Sequence, residues 1–312
     1  MHIVTGGAGF IGSNLVRRLI DETGDDVVVV DDLTDGHKFT NIAALPIADY
    51  LDRHEFMESL DSRFSSGIQS VFHQGACSTT TEWDGRYMMQ NNYTYSKTLL
   101  HHCLAHRIPL IYASSAAVYG SAAAFSETPE NELPLNVYGW SKLLFDRYVR
   151  GLAAKASAQV VGLRYFNVYG PGEQHKGPMA SVAWHFNRQL IADDEIRLFE
   201  GSDGFADGEQ RRDFVYVDDV CAVNLWFLQH RQASGIFNVG TGHSQSFNDV
   251  ANAVIDWHGH GRIRYIPFPE QLGGAYQSFT EADLSALRSI GCDVAFRDVE
   301  AGIRAYLDRL GG

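Results

Sequence analysis

An α/β fold, a doubly wound parallel sheet with a smaller lobe beside it, is predicted by three features of this 312-residue sequence. First, a short apolar run, His2-Ile3-Val4-Thr5, passes at once into Gly6-Gly7-Ala8-Gly9-Phe10-Ile11-Gly12 and then into a stretch with helical apolar spacing. Second, short β-rich runs alternate with helical stretches as far as Val160-Val161-Gly162-Leu163, as in parallel strands joined by crossover helices. Third, the alternation then breaks, with Gly170, Pro171, Gly172, Gly177 and Pro178 marking departure into a second lobe. The architecture is therefore Rossmann-type. Residues 1–168 with about 213–240 are assigned to the sheet domain, and about 169–212 with 241–312 to the smaller α/β lobe.

Gly6, Gly9 and Gly12 stand as G-x-x-G-x-x-G between a strand and a helix. Glycine there permits a tight turn, close packing of helix on strand, and approach of the backbone to a pyrophosphate. The helix is predicted over Ser13 to Asp21, with Leu15, Val16, Leu19 and Ile20 as its apolar side. Its N-terminus would aim unsatisfied N–H groups at phosphate. In this context the motif is a dinucleotide-binding one. The second strand, Val27-Val28-Val29-Val30, ends at Asp31-Asp32, where a carboxylate commonly holds the adenosine ribose. That alone favours NAD. Lys38 follows closely, and Arg53 lies after Ala48-Asp49-Tyr50, where the third strand is predicted to end. Both could hold a 2′-phosphate, or remain solvated surface charges.

Ser70-Val71-Phe72-His73 is the fourth strand, ending in the small-residue loop Gln74-Gly75-Ala76-Cys77-Ser78, suited to lying beside a cofactor. Cys77 has no evident histidine partner and reads as a small packed thiol. The polar run Thr79 to Glu82 leads into a helix carrying Asn91 and Asn92. Asparagine costs helix propensity, so a specific hydrogen-bonding task is expected of the pair. Leu110-Ile111-Tyr112-Ala113 is the fifth strand, with Ser114-Ser115-Ala116-Ala117 at its carboxyl end, the edge where open parallel sheets bind ligands. Tyr138-Gly139-Trp140-Ser141-Lys142 then sets a phenol and an ammonium one turn apart on one helix face. A free phenol, with a pKa of ~10, is a poor base at neutral pH. The ammonium is expected to lower that value toward useful acid–base work.

Composition sets the bounds. With 45% hydrophobic and 20% charged residues the chain is of globular type. A formal charge of −13 argues against non-specific binding of nucleic acid or anionic membrane, while leaving room for a local basic pocket. Cys77, Cys103, Cys221 and Cys292 are scattered, with no C-x-x-C and no metal-type clustering, and reduced thiols in a cytoplasmic protein are expected. No run of about 18 apolar residues occurs, and the chain opens directly into a strand, so neither a transmembrane helix nor a targeting segment is expected. There is no internal repeat.

From Gly6 almost to the C-terminus these motifs resemble the extended short-chain dehydrogenase/reductases, the nucleotide-sugar epimerase and dehydratase group. In that family the tyrosine is the acid–base, the lysine grips the nicotinamide ribose, and the serine hydrogen-bonds the reacting sugar oxygen. By that resemblance the roles fall on Tyr138, Lys142 and Ser115. Further segments are similar to the branch that acts on ADP-linked heptose at C6: Gln74 to Ser78 with Thr81-Glu82-Trp83-Asp84-Gly85, Asn91-Asn92-Tyr93, Arg164-Tyr165-Phe166-Asn167-Val168-Tyr169, His175-Lys176-Gly177, Phe199-Glu200-Gly201-Ser202 and Arg212-Asp213-Phe214. The resemblance implies an epimerase of lipopolysaccharide inner-core synthesis that holds NADP and forms a homo-oligomer, commonly a pentamer. It places cofactor contacts on Gly6, Gly9, Phe10, Ile11, Gly12, Asp31, Asp32, Lys38, Arg53, Gln74, Gly75, Ala76, Cys77, Ser78, Asn91, Lys142, Val168 and Lys176. Substrate contacts fall on Asn167, His185, Phe199, Glu200, Gly201, Ser202, Arg212 and Tyr276.

Lys176 by itself reads as a surface lysine; the resemblance makes it a second acid–base residue. Inverting a carbon that bears hydrogen and hydroxyl, with no acidifying carbonyl beside it, calls for transient oxidation. Hydroxyl and carbonyl then occupy two positions in turn, so two proton-transfer groups on different sides are useful. Arg212 suits a diphosphate because guanidinium binds phosphate oxygens in a fork. His185, on a helix with Val182, Ala183 and Phe186, is either a substrate contact or a packed core residue. Three departures from the family pattern stand out: Pro178 replaces a substrate-contacting serine, Arg53 replaces lysine, and the acidic segment 203–210 is longer, leaving Arg211 against Arg212 open.

Phe214 to Val217 and Gly235 to Gly240 are short strands, one of them closing the sheet, and Ile263 to Pro267 is a strand of the lobe. Helices are predicted at about Phe247 to Trp257, Glu281 to Ser289 and Val299 to Leu310. A dehydratase would carry acidic residues beside the serine, where Ala116-Ala117 stand. A non-catalytic dinucleotide sensor would have no use for Ser115, Tyr138 and Lys142 together.

Overall fold

The computed structural model describes residues 1–269 and 277–311. In chain order, β1 (His2–Thr5), α1 (Phe10–Thr23), β2 (Val27–Asp31), β3 (Asp49–Asp52), α2 (Arg53–Arg63), β4 (Ser70–His73), α3 (Gly85–Met89), α4 (Tyr95–His106), β5 (Leu110–Ser115), α5 (Val137–Leu152) and β6 (Val160–Tyr165) come first. β7 (Asn167–Tyr169), α6 (Val182–Asp193), β8 (Glu195–Phe199), β9 (Arg211–Arg212), β10 (Phe214–Tyr216), α7 (Val217–Gln229), β11 (Gly235–Val239), β12 (Gln245–Ser246), α8 (Phe247–His258), β13 (Arg262–Ile266), α9 (Ser285–Ser289) and α10 (Val299–Gly311) follow.

Seven strands make one parallel sheet in the order β11-β6-β5-β4-β1-β2-β3. The chain winds outward from β1 to β3, then returns to place β4 on the other side of β1. That reversal opens a crevice at the carboxyl ends of β1 and β4. Side chains alternate across the sheet, so neighbours enter different cores. Val4, Val29 and Phe72 pack with Leu15 and Leu19 of α1 and Val220 and Phe227 of α7. Ile3, Val28 and Val71 pack with Phe56 and Leu60 of α2, Leu99 of α4 and Phe145 of α5. Burial on both faces explains why these strands read as unbroken apolar runs.

Beside the sheet lie the parallel pairs β7–β10 and β8–β13 and the antiparallel pair β9–β12. Among the described residues no helix is long and apolar enough to cross a membrane. All four cysteines are free.

Several boundaries differ from expectation. α1 starts at Phe10, three residues before the predicted Ser13, because Gly9 caps it and Gly12 lies inside its first turn. β3 runs on to Asp52, and Arg53 is the first residue of α2. The helix predicted from Glu281 forms only over Ser285–Ser289. Glu281 instead accepts the N–H and the hydroxyl of Ser244, both at 2.9 Å, and Asp283 accepts the Ser285 N–H.

Candidate active site

The floor of the crevice is backbone. Gly6 has φ +68°, and a Cβ there would stand 2.6 Å from Gly75 Cα in the loop after β4. A Cβ on Gly12 would stand 2.0 Å from the Gly6 carbonyl oxygen. Gly9 caps α1 without offering a side-chain acceptor, so the first N–H groups of the helix face the crevice. These are the requirements of a dinucleotide pyrophosphate, and the residues present fit one.

Asp31 departs from its expected role. Its carboxylate accepts the Ala8 N–H at 2.8 Å, the Asp32 N–H at 2.6 Å and the Lys38 ammonium at 2.7 Å. It braces the glycine turn from within and is only 7% exposed, so it is not a free acceptor for ribose hydroxyls. Asp32 accepts the Thr34 hydroxyl and, at 2.8 Å, the Thr34 N–H, and those two bonds hold its carboxyl below the usual range. Arg53 Nε lies 3.4 Å from Asp32 Oδ2, while Nη1 donates to Asn91 Oδ1 at 2.6 Å. Two cations therefore border the end of β2.

Both asparagines have the task expected of them. The chain between α3 and α4 is π-helical over Gln90–Thr94, a distortion that re-aims side chains. Asn91 holds Arg53. Asn92, buried, accepts the Cys77 N–H at 2.8 Å and donates to the Cys77 carbonyl at 2.9 Å and to Ser141 Oγ at 3.0 Å. It ties the Gln74–Ser78 loop to α5 one residue before Lys142. Cys77 itself is a free thiol, half-buried in this loop.

β5 delivers Ser115, whose Oγ accepts the Ala117 N–H at 3.1 Å, and the start of α5 delivers Tyr138 beside it. Burial raises the Tyr138 phenol above its ordinary value, and the nearby Ser115 hydroxyl acts to lower it. The expected depression by Lys142 is not what the structure gives. The ammonium is buried and donates to the Ala113 carbonyl at 2.8 Å, and burial lowers its own pKa to about 8. Asp146, one turn further along α5, acts to raise it.

The sign of that shift yields a prediction. Lys142 ordinarily titrates at 10.5, so between about 8 and 10.5 the unfolded chain binds the extra proton. Below about 8 the buried ammonium opposes folding, and the penalty fades as pH rises through that window. The stability of the wild type relative to Lys142→Met should therefore increase from pH 8 to pH 10.5, measured by urea denaturation of the cofactor-free protein. A constant difference would contradict the burial.

Beneath the site is an ionic network that the sequence did not suggest. Arg164, fully buried, donates through Nε to Asp146 at 2.9 Å and through Nη2 to Glu132 at 2.5 Å. Tyr112 and Ser114 donate to the two oxygens of Asp146, each at 2.9 Å. The network joins β5, α5 and β6 directly under Ser115 and Lys142.

Lys176 stands with its ammonium 5.3 Å from the centre of the Phe10 ring, at the mouth of the glycine turn, and burial lowers its pKa. Its loop is anchored by Glu173, which accepts the Gly170 N–H at 3.2 Å and the Ser181 hydroxyl at 2.7 Å. Val168 lies on β7, beside the exposed Asn167, whose Oδ1 accepts from Thr280 Oγ1 at 3.5 Å. His185 is half-buried in the first turn of α6. Phe199 ends β8, leading into exposed Glu200 and Gly201 and then Ser202, which accepts from Gln210 Nε2 at 3.1 Å. Arg212 is buried, with its guanidinium 5.8 Å from the centre of the Phe247 ring, whereas Arg211 turns to Ser244. Tyr276 lies outside the described residues.

A cradle for a dinucleotide with a serine, tyrosine and lysine at the carboxyl edge of β5 defines a nicotinamide-dependent sugar-modifying class. The sequence matches the NAD dependent epimerase/dehydratase family over residues 2–240, and the chain belongs to that family. It is 62% identical over 309 residues to an ADP-L-glycero-D-manno-heptose-6-epimerase of Alkalilimnicola ehrlichii, a match covering 99% of this chain and 97% of that one. Among solved structures, the Helicobacter pylori ADP-L-glycero-D-manno-heptose-6-epimerase superposes with a TM-score of 0.87 at 33% identity, covering 100% of this chain and 96% of that one. The UDP-glucose 4-epimerase of Thermus thermophilus, in complex with NAD, superposes at 0.80 with 26% identity, covering 100% and 99%.

Proposed function

We propose that the chain is an epimerase that inverts C6 of the heptose in ADP-D-glycero-D-manno-heptose, using tightly held NADP, in lipopolysaccharide inner-core synthesis. The observation that carries this reading is Ser115 and Tyr138 brought together beside buried Lys142, over a glycine floor, in a chain so similar to a heptose epimerase. When bound, the oxidised nicotinamide supplies a hydride acceptor at C6 and a positive charge that favours the Tyr138 phenolate. Tyr138 takes the hydroxyl proton on one side of the sugar, with Ser115 orienting the oxygen. Lys142 holds the nicotinamide ribose. Lys176, whose pKa burial lowers, serves the other side after the sugar has turned. The smaller lobe, about 169–212 with 241–312, carries the sugar-nucleotide contacts, with Arg212 on the diphosphate. The enzyme works as a cytoplasmic homo-oligomer.

The preference for NADP is supported by the end of β2. Asp31 is occupied internally, Asp32 faces a guanidinium, and Lys38 and Arg53 are the two cations at this edge that can turn to a 2′-phosphate. Arg53→Ala should weaken NADP about ten- to a hundredfold, the worth of one charge-assisted fork, with a smaller effect on NAD. Binding measured by protein fluorescence for both cofactors checks this, together with the identity of the nucleotide released on denaturation. Release of NAD would refute the assignment.

A further inference from the structure

We propose that Asp61, His102 and His106 form a divalent transition-metal site, of the zinc class, which cross-links α2 to α4 toward the amino ends of the strands, away from the reaction. His102 and His106 are four residues apart on α4 and so share a helix face, their ring centres 4.5 Å apart. Asp61, near the end of α2, completes the set, and one ligand atom of each residue lies within 4.8 Å of the others. Both helices reach this point as they return toward the amino ends of β4 and β5. The cluster is therefore at the opposite edge from Ser115 and Tyr138.

The hydrogen bonding of His102 points to a cation. This ring is buried, 7% exposed, and its Nε2 lies 3.1 Å from the Phe64 carbonyl oxygen, which can only accept. Nε2 therefore carries the proton in the neutral ring, and Nδ1 is left as a lone pair. That lone pair lies 2.9 Å from Asp61 Oδ1, a second acceptor. Two acceptors in contact require a positive charge between or upon them. A metal ion supplies it when Asp61, 91% exposed and free to rotate, draws back to coordinating distance. A histidine whose second nitrogen donates to a backbone carbonyl is oriented as metal ligands usually are. Exposed Asp61 and His106 give the ion its route in. Two imidazoles and a carboxylate suit zinc and its borderline neighbours rather than magnesium or calcium, and three protein ligands leave one position for water. The cluster lies away from Ser115 and Tyr138, so the ion fastens α2, whose first residue is Arg53, rather than taking part in the chemistry.

The test uses the full chain after dialysis against a chelator, titrated with Co²⁺ while visible absorption is followed, then with Zn²⁺ in competition. One equivalent is expected to bind at this cluster, with Zn²⁺ raising the unfolding temperature. His106→Ala and Asp61→Asn, at exposed positions, should each weaken binding about tenfold or more and abolish the thermal effect. Epimerase turnover of both metal-free variants should equal that of the metal-free wild type. Absence of binding, or binding and thermal protection that survive both substitutions, would overturn the proposal. So would a His102 ring that titrates as an imidazolium against Asp61 by NMR and is unmoved by either metal.

Discussion

Tyr138→Phe is expected to lower epimerase turnover by about 10²- to 10⁴-fold, the usual contribution of a positioned acid–base group. The phenol oxygen is the only atom removed, and the ring remains in the first turn of α5, so the fold and the glycine floor should be unaffected. Cofactor content should stay that of the wild type, because Lys142 and the Gly6–Gly12 turn are untouched. Steady-state turnover and the absorbance of the released nucleotide, measured on one preparation, separate the two effects. A variant that turns over normally would remove Tyr138 from the chemistry. One that has lost its cofactor would instead make the phenol a binding group.

Arg164→Ala should be the most damaging single change outside the crevice. Its guanidinium is fully buried between Asp146 and Glu132, and it lies 5.0 Å from the centre of the Tyr119 ring. Removing one partner of a buried ionic cluster strands the others without compensation, at a cost of about 3–5 kcal/mol. Of the two carboxylates, Arg147 and Arg150 pair with Glu132, so Asp146 would keep the hydroxyls of Tyr112 and Ser114 and the nearby Lys142 ammonium. A fall of this size in unfolding free energy from urea titration is the expected result. Arg164→Lys should recover part of it, since charge is kept while the fork is lost. An unchanged midpoint for Arg164→Ala would show that the network contributes little to the fold.

Local chemistry was readable where its cause is local. The glycine turn, the Val27–Val30 run and the one-turn spacing of Tyr138 and Lys142 are written in consecutive residues, and the structure places all three as read. What escaped depends on contacts between distant segments. Asp31 could not be known to brace Ala8 until the turn closed over it. The phenol of Tyr138 was expected to be acidified by its neighbour, but burial, contributed by the whole surrounding fold, acts in the opposite direction. α2 has too few apolar positions for its periodicity to announce a helix, and β9 and β12, two residues each, form through pairing with segments distant in the chain. The Asp146–Arg164–Glu132 network and the Asp61–His102–His106 cluster unite residues from separate elements, with no motif to mark them.

The most direct test of the functional account is to incubate the protein as purified with ADP-D-glycero-D-manno-heptose and follow the C6 proton of the heptose by NMR. The account predicts conversion to the L-glycero epimer with no added nicotinamide and no net change in nicotinamide absorbance. An unchanged heptose spectrum, from a preparation that interconverts UDP-glucose and its C4 epimer, would contradict it.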